Sequence, residues 1–244
     1  MSAARELFDA GKLNAAIEAL GSELRERPTD AQRRTFLFEL LCFAGNWDRA
    51  EKQLDALAVS DAVSDEDKRM GEWLYRAALN AERTRHEVFG SPIDRPADVA
   101  PVSGTLNGKP FQTLEEADPR LGARLEVFAG GNYLWIPLEQ IALLEVQPPK
   151  RLRDLLWAVA TIRGGAGFEG SDLGQVLLPV LSPSSWRHAD DSVRLGRMTV
   201  WEEGPDGQEL PFGQKMLLMD DEEIPLLELR RLEISEPMAN RVST

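Results

Sequence analysis

The chain has 244 residues, 43% of them apolar and 28% charged, which is the composition of a folded globular protein with one large or two smaller domains. A formal net charge of −13 argues against binding to nucleic acid, because phosphates attract clustered Lys and Arg. With one cysteine, Cys42, and no apolar run of the roughly 18 to 20 residues that cross a bilayer, we expect a cytoplasmic protein without disulfides, membrane spans or a secretory signal.

A repeat with a period of 34 residues marks the amino-terminal part of the chain. The matching positions are Gly11 and Gly45, Leu13 and Trp47, Ala16 and Ala50, and Leu20 and Leu54. This period is that of the tetratricopeptide repeat, a pair of packed antiparallel helices. The glycine can adopt the positive φ that ends the first helix of a unit, and the small alanine lets the two helices approach each other.

A further helix follows from Asp65 to about Val88, with a possible capping box at Ser64 and Asp67. Its apolar stripe at helical spacing comprises Met70, Trp73, Leu74, Ala77, Ala78 and Ala81. We therefore predict about five helices in a domain spanning residues 1–89, with Trp47 and Trp73 in its core. Such arrays hold peptides or helices of other proteins, although so short an array can also simply pack against the rest of its chain.

Residues 90–120 are rich in Pro and Gly and are predicted to form a linker laid over the surface. Residues 121–236 then change to the alternating or short apolar pattern of strands, followed by a tail at 237–244. The predicted strands are 125–128, 133–136, 143–146, 176–178, 198–201, 215–219 and 227–229. The expected fold class is α+β, with helical hairpins in front of a mainly antiparallel β domain.

Two hairpin turns and one inserted helix complete the predicted β domain. The turns are 204–207 and 220–223, and the helix spans Pro149 to about Ala160 with an apolar stripe along one side. Lys150, Arg151 and Arg153 lie at the start of this helix, where they oppose its dipole. This placement indicates either a partner for these cations or neutralisation by the adjacent Asp154.

The patterns that would carry catalysis or ligand binding are weak. Residues 165–170 fit GxGxxG, but a helix is predicted before them and a strand after them, which is the reverse of a dinucleotide site. The two histidines, His86 and His188, have no metal-ligand spacing with Cys42. Ser185 and His188 lie in an ordinary proline-containing loop. We therefore predict no cofactor, no metal and no catalytic site, and we interpret the acidic excess of residues 202–236 chiefly as a solubilising feature.

Two segments of the β part carry a recognisable signature, residues 133–141 (YLWIPLEQI) and 148–157 (PPKRLRDLLW). Further matches lie at 176–180 (VLLPV), 194–201 (RLGRMTVW) and 223–230 (EIPLLELR). Together they resemble the ImpE/TagJ (SciE-type) family, accessory proteins of bacterial type VI secretion, over nearly the whole chain. The sequence departs from the family pattern at Val159, where a proline is expected.

The resemblance implies a non-catalytic cytoplasmic adaptor whose protein partners are the small sheath subunit TssB and the ClpV unfoldase that recycles sheaths. The candidate protein-binding residues on the signature are Trp135, Arg151, Arg153, Asp154 and Trp157. Two alternatives stay open. One is a hydrolase-like enzyme in the β part, around Ser185, His188 and Asp190, and the other is a general tetratricopeptide scaffold unrelated to secretion.

Overall fold

The computed structural model describes residues 2–60, 66–91, 93, 101–165, 168, 173–204 and 207–235. The amino-terminal helices are α1 (Ala3–Asp9), α2 (Leu13–Glu26), α3 (Ala31–Phe43), α4 (Trp47–Ser60) and α5 (Glu66–Phe89). The five predicted helices are therefore confirmed, and α1–α2 and α3–α4 form the two hairpins of the repeat. Within the described residues, no helix combines the length and the apolar character needed to cross a membrane.

Both repeat glycines end the first helix of their hairpin in the same way. Gly11 has φ 75° and Gly45 has φ 67°. At the first turn the amide of Lys12 donates to the carbonyl of Leu7, and at the second the amide of Asn46 donates to the carbonyl of Leu41, each at 2.9 Å. This is the Schellman pattern, which satisfies carbonyls left open at a helix end. The 34-residue period thus repeats a backbone conformation as well as side chains.

The β-rich part contains thirteen strands within the described residues. They are β1 (Gly104–Leu106), β2 (Lys109–Phe111), β3 (Leu114–Glu116), β4 (Arg124–Ala129), β5 (Asn132–Pro137), β6 (Ile141–Val146), β7 (Trp157–Gly164), β8 (Gly174–Pro179), β9 (Val200–Glu203), β10 (Glu209–Phe212), β11 (Met216–Met219), β12 (Glu222–Pro225) and β13 (Arg231–Ile234). A four-residue helix, α6 (Asp191–Arg194), lies between β8 and β9.

The strands form an eight-stranded antiparallel sheet in the order β2-β1-β13-β6-β7-β8-β4-β5, a three-stranded sheet β12-β11-β3 and the hairpin β9-β10. Two apolar cores flank the large sheet. One lies between the sheet and the helices and includes Phe128 and Trp157, and the other lies on the opposite face, where Leu217 of the small sheet packs. Because side chains along a strand alternate between its two faces, Glu126 and Phe128 of β4 both face the helices.

Three elements differ from their prediction. Residues 104–116, predicted as linker, supply β1, β2 and β3, so the β-rich part begins earlier than residue 121. The predicted helix at Pro149–Ala160 is wrong, because only Leu152–Leu155 form a 3-10 helix and β7 starts at Trp157. The predicted strand 227–229 is also wrong, since Leu226–Glu228 form a 3-10 helix.

The pairing of β9 with β10 and of β11 with β12 confirms that a hairpin lies at each predicted connection, but Glu222 and Glu223 of the second belong to β12. Residues 205 and 206 lie outside the described part of the chain, as do most of the GxGxxG segment, the start of the capping box at Ser64 and the tail.

The 3-10 helix at Leu226–Glu228 belongs to a structural repeat inside the β part. Ile-Pro-Leu occurs at 136–138 and again at 224–226, each time between a hairpin and the next strand. The amide of Leu138 donates to Ala123 at 3.0 Å, and that of Leu226 donates to Lys215 at 2.9 Å. The two strands that follow, β6 and β13, pair antiparallel, with Leu144 opposite Leu232. The β part therefore contains the same unit twice, and this unit consists of a strand, a 3-10 helix and a second strand.

The loop that contains α6 caps both helices of the first hairpin, α1 and α2. Asp191 accepts from the amide of Leu13 at 2.8 Å and so caps α2, whose own N-cap residue makes no side-chain cap. Arg197 donates to the carbonyls of Phe8 and Asp9 at the end of α1, at 2.7 and 3.0 Å. Helix ends need such partners for their open backbone groups. The array and the β part are therefore one packed body.

Candidate functional site

A cleft with a volume of about 680 Å³ lies on the helical array. We call it the groove. Its walls come from α1, α2, α3 and α5 and from the loop of the second signature segment. Its lining includes the side chains of Arg5, Leu20, Arg33, Phe36, Glu39, Tyr75, Arg151 and Leu152. The signature loop thus closes the open face of the repeat.

The floor of the groove is formed by Glu39 of α3 and Tyr75 of α5, and Arg153 of the loop packs against Tyr75. The Tyr75 hydroxyl donates to Glu39 at 3.2 Å, and Arg153 lies with its guanidinium 5.4 Å from the Tyr75 ring centre. Burial raises the pKa of Glu39 to about 7, although the Tyr75 hydrogen bond and Arg153 act against that rise. Burial likewise raises the pKa of Tyr75 to about 12. The floor is therefore a fixed hydrogen-bonded patch on which Glu39 is only partly ionised at neutral pH.

The rim of the groove is arginine-rich and its wall is apolar. Arg33 is held by Glu23 at 2.8 Å and by Asp30, the N-cap residue of α3. The Arg5 guanidinium stacks over Phe36 with a distance of 5.5 Å to the ring centre. Arg151 is exposed and forms no ion pair with any residue in the described ranges. The groove therefore offers an aromatic surface beside guanidinium groups, which suits a peptide better than a small molecule.

The acidic residue of the signature loop has a structural role. Asp154 accepts from the backbone amides of Lys150 and Arg151, each at 2.8 Å, and its other oxygen lies 3.5 Å from Arg153. These bonds fold the loop back on itself before β7 begins. Asp154 therefore positions the backbone of Arg151 at the rim and pairs with Arg153, while the charge of Arg151 stays unpaired by the described residues.

The two signature tryptophans lie away from the groove surface. Trp157 is only 2% exposed and its indole N–H donates to Glu82 of α5 at 3.0 Å, so it anchors the loop to the array. Trp135 packs against Phe89 at the far end of α5, with 5.9 Å between the ring centres. Fourteen residues of helix separate Phe89 from Tyr75, which is about 20 Å of rise. The five predicted site residues therefore do not form one surface.

A buried charge cluster, which sequence reasoning missed, joins α5 to the sheet below the groove. Arg85 makes a bidentate pair with Glu126 of β4, at 2.7 and 2.9 Å, and donates to the carbonyl of Leu181 at 2.8 Å. Lys215 pairs with Glu126 and, at 2.8 Å, with Glu116. All four charged side chains are at most 6% exposed. No motif predicts this cluster, because its members are far apart in the sequence.

The cluster holds Glu126 ionised. Burial alone would raise the pKa of Glu126, but Arg85 and Lys215 outweigh burial and lower it to about 2. Burial raises the pKa of Glu116 to about 7, because Lys215 compensates it only partly and the neighbouring Glu126 charge opposes its ionisation. Burial also raises the pKa of Glu82, which lies 3.7 Å from Arg85. The cluster is thus built to fasten two elements together, with its cations fully used.

Trp73 is the exception among the predicted core residues. Its side chain is 56% exposed, although it lies on the predicted apolar stripe of α5. It lines a second, smaller depression of about 160 Å³ together with Gly131 and Val159. Because this depression has no charged side chain, it defines no partner chemistry. Trp47 is half-buried and packs on the helical core, as predicted.

The residues of the enzyme hypothesis do not assemble into a catalytic arrangement. Ser185 is buried, and its hydroxyl donates to the Ser182 carbonyl at 2.6 Å while accepting from the Gly213 amide at 2.8 Å. His188 contacts Glu202 at 3.1 Å and the amide of Asp190 at 3.0 Å. Across the described ranges, no group of three His, Cys, Asp or Glu side chains could hold a metal ion. Ser185 serves the fold of its loop.

Comparisons with known proteins agree with both halves of this structure. A family model described as ImpE protein matches residues 108–233, and a tetratricopeptide repeat model matches residues 7–66. The type VI secretion system accessory component TagJ of Pseudomonas aeruginosa is 34% identical over 268 aligned residues, which cover 94% of this chain and 90% of TagJ.

The X-ray structure of protein VPA1032 from Vibrio parahaemolyticus superposes with a TM-score of 0.82, covering 96% of this chain and 98% of that one. At 21% identity, that likeness shows a shared fold. The ImpE match spans more than half of the chain, and the TagJ match spans nearly all of it. The chain therefore belongs to the ImpE family, as its two signature segments indicated.

Proposed function

We propose that this protein is a non-catalytic adaptor of a type VI secretion system. In this proposal it binds the small sheath subunit TssB, the ClpV unfoldase or both, and so modulates the recycling of sheaths. The name of the Pseudomonas aeruginosa relative, an accessory component, supports an accessory role here. The proposal implies a cytoplasmic location, where sheath and unfoldase act.

The observation that carries the proposal is the groove. Its walls are helices of a tetratricopeptide-type array, and arrays of this kind commonly bind peptides and helices. The loop that carries the family signature closes the groove. We propose that Arg151 contacts the partner directly. Arg153 and Asp154 would hold the loop in place, whereas Trp157 and Trp135 would act by packing.

The test measures binding of the purified full chain to purified TssB and to purified ClpV by calorimetry, with a matched pair of aromatic substitutions. Phe36→Ala removes the aromatic wall of the groove, and Trp73→Ala removes an exposed aromatic outside it. We expect Phe36→Ala to weaken the complex about tenfold or more, as for an interface anchor, and Trp73→Ala to leave it unchanged. Unfolding curves of both variants separate loss of binding from loss of fold.

Absence of a complex with either protein would refute the proposed partners. A complex that is insensitive to Phe36→Ala would keep the adaptor role but exclude the groove as its site.

A further inference from the structure

The groove has a charge pattern that differs from that of the whole molecule. Four charged side chains line it, of which Arg5, Arg33 and Arg151 are cations and Glu39 is the single acid. The chain as a whole carries a formal charge of −13. The groove is thus a local reversal of sign on an acidic protein, and an acidic segment would be repelled elsewhere but attracted here.

The three arginines differ in how far the protein itself already uses them. Arg33 is committed, because Glu23 and Asp30 both bind it and Asp30 also caps α3. Arg5 has one ion-pair partner among the described residues, Asp9 at 3.3 Å, and both side chains are about half exposed, at 51% and 48%. Such a surface pair is worth at most about 1 kcal/mol, so an incoming carboxylate can replace Asp9. Arg5 is therefore available.

Arg151 is the most available of the three. Its side chain is exposed, and it forms no ion pair within the ranges that the structure describes. Asp154 binds the backbone amide of Arg151 and not its guanidinium, which fixes where the residue lies while leaving its charge unused. A guanidinium on a fixed backbone can bind a carboxylate with two hydrogen bonds at little entropic cost.

Apolar surface lies beside these guanidinium groups. Phe36 and Leu152 are only partly buried, and the Arg5 guanidinium stacks on the face of Phe36. A segment that bound by charge alone would leave this surface wet, whereas one that bound by apolar contacts alone would bury the guanidinium groups unpaired. Both cost free energy. The lining therefore suits a segment that supplies both kinds of group.

We infer that the groove binds a partner segment in which acidic side chains flank apolar ones, with carboxylates paired to Arg5 and Arg151 and apolar side chains on Phe36 and Leu152. The inference rests on the proposed function, since it specifies the chemistry of the segment that the adaptor holds. It predicts a complex that weakens as salt concentration rises.

The test compares two double variants of the full chain by calorimetry with purified TssB and with purified ClpV, at low and at physiological salt. Arg5→Gln with Arg151→Gln removes the two available groove cations. Arg27→Gln with Arg49→Gln removes two exposed arginines outside the groove and changes the net charge equally. We expect the groove variant to bind about tenfold more weakly and to lose most of its salt dependence, and the control to bind like the parent.

Peptides provide a second measurement. Overlapping peptides of the sheath subunit compete with the intact subunit, and the strongest competitor is remade with Asn and Gln in place of Asp and Glu. We expect this exchange to weaken competition for the parent chain and to have no effect on the groove variant, because the two changes remove the same pairs. A strongest competitor without acidic residues would overturn the inference, and where no peptide competes, the double variants alone decide.

The outcomes separate the inference from the proposed function. If the groove variant binds like the parent while Phe36→Ala does not, the groove is the site and the acidic chemistry is wrong. If neither variant affects the complex, the site itself is wrong. If neither protein forms a complex, the proposed partners fail and the inference fails with them.

Discussion

Two arginines of this protein, Arg85 on α5 and Arg151 in the signature loop, are used in opposite ways. Arg85 is 6% exposed and all its bonds go to protein atoms, namely two oxygens of Glu126 and the carbonyl of Leu181. Arg151 is exposed and forms no ion pair with the described residues. The first arginine holds the helical array on the sheet, and the second remains open to another molecule.

The difference shows what burial requires of a charge. A buried guanidinium must have its carboxylates and carbonyls supplied by the fold, because leaving it unpaired costs several kcal/mol. An exposed one is satisfied by water and can exchange water for a partner. Variants on each side should therefore separate stability from binding, and the four predictions below run from the largest change in unfolding free energy to the smallest.

Arg85→Met should destabilise the protein by about 3 to 5 kcal/mol, because it removes the cation that Glu126 and Glu82 share in a dry interface. Urea unfolding at neutral pH measures the change. Arg83→Met is the control on the same helix, since Arg83 is paired with Asp48 and Glu51 at the surface, and it should cost less than about 1 kcal/mol. Equal effects of the two variants would contradict the anchoring role of the cluster.

Gly45→Ala should cost about 2 to 3 kcal/mol, because its φ of 67° disfavours a side chain and a Cβ there would lie 2.4 Å from the Trp186 ring. Thermal unfolding followed by circular dichroism detects this loss. Gly21→Ala, in the interior of α2 with nothing within 4 Å, should instead stabilise by up to about 1 kcal/mol. A neutral Gly45→Ala would show that the β part does not press on this turn.

Glu39→Gln should stabilise the protein at neutral pH and have little effect below about pH 4. The pKa of Glu39 is about 7 in the fold and 4.5 in the unfolded chain, so between these values the unfolded state loses its proton first. Stability therefore falls as pH rises through this window, and glutamine removes the fall, which is a gain on the order of 2 kcal/mol above pH 7.

Unfolding free energies measured between pH 4 and pH 8 test this. Glu116 contributes a fall of the same sign in the parent and in the variant, so the difference between the two curves isolates Glu39. The exposed Glu18→Gln is the control and should follow the parent curve. A constant offset across the pH range would show that Glu39 is ionised throughout.

Arg151→Gln should change the unfolding free energy by less than about 0.5 kcal/mol, because its side chain is exposed and unpaired by described residues. Chemical unfolding at neutral pH tests this directly. Asp154→Ala is the informative neighbour, since it removes the bonds that fold the loop and should cost about 1 to 2 kcal/mol. A large loss of unfolding free energy for Arg151→Gln would show that Arg151, like Arg85, stabilises the fold. The contrast between the two arginines would then be wrong.

The helical half of the fold could be predicted because its signals are local. Gly45 ends a helix through its own backbone, and Ala50 is small where two neighbouring helices touch, so both are visible at a fixed period. The second reason for Gly45, the approach of Trp186, depends on a residue 141 positions later and has no local signal.

The β half was predicted in class but not in every element. The apolar stripe through Leu155 and Val159 fits a helix, yet Trp157–Gly164 pair with strands on both sides, and a strand with apolar residues on both faces has no period to distinguish it. Likewise, the stripe on α5 placed Trp73 inside, but its side chain is more than half exposed in the described structure.

The candidate site was predicted only in part. The signature loop pointed to Arg151, but its neighbours in the groove come from four helices, and which helix faces the loop is decided by the buried cluster at Arg85, Glu126 and Lys215. Charged residues in a helix or a strand look like surface positions in a sequence. Glu126 is the one partial clue, because it sits between apolar neighbours in a strand.

The contacts of the β part with both hairpins have a consequence for the evolution of this family. Open repeat arrays lengthen or shorten by whole units, since each unit contacts only its neighbours. Here Arg197 and Asp191 form hydrogen bonds with the first hairpin, and Trp186 packs against the turn of the second. Inserting a 34-residue unit would carry one of these turns away from its contact. Members that keep this loop should therefore diversify by exchanging groove side chains at a constant number of repeats.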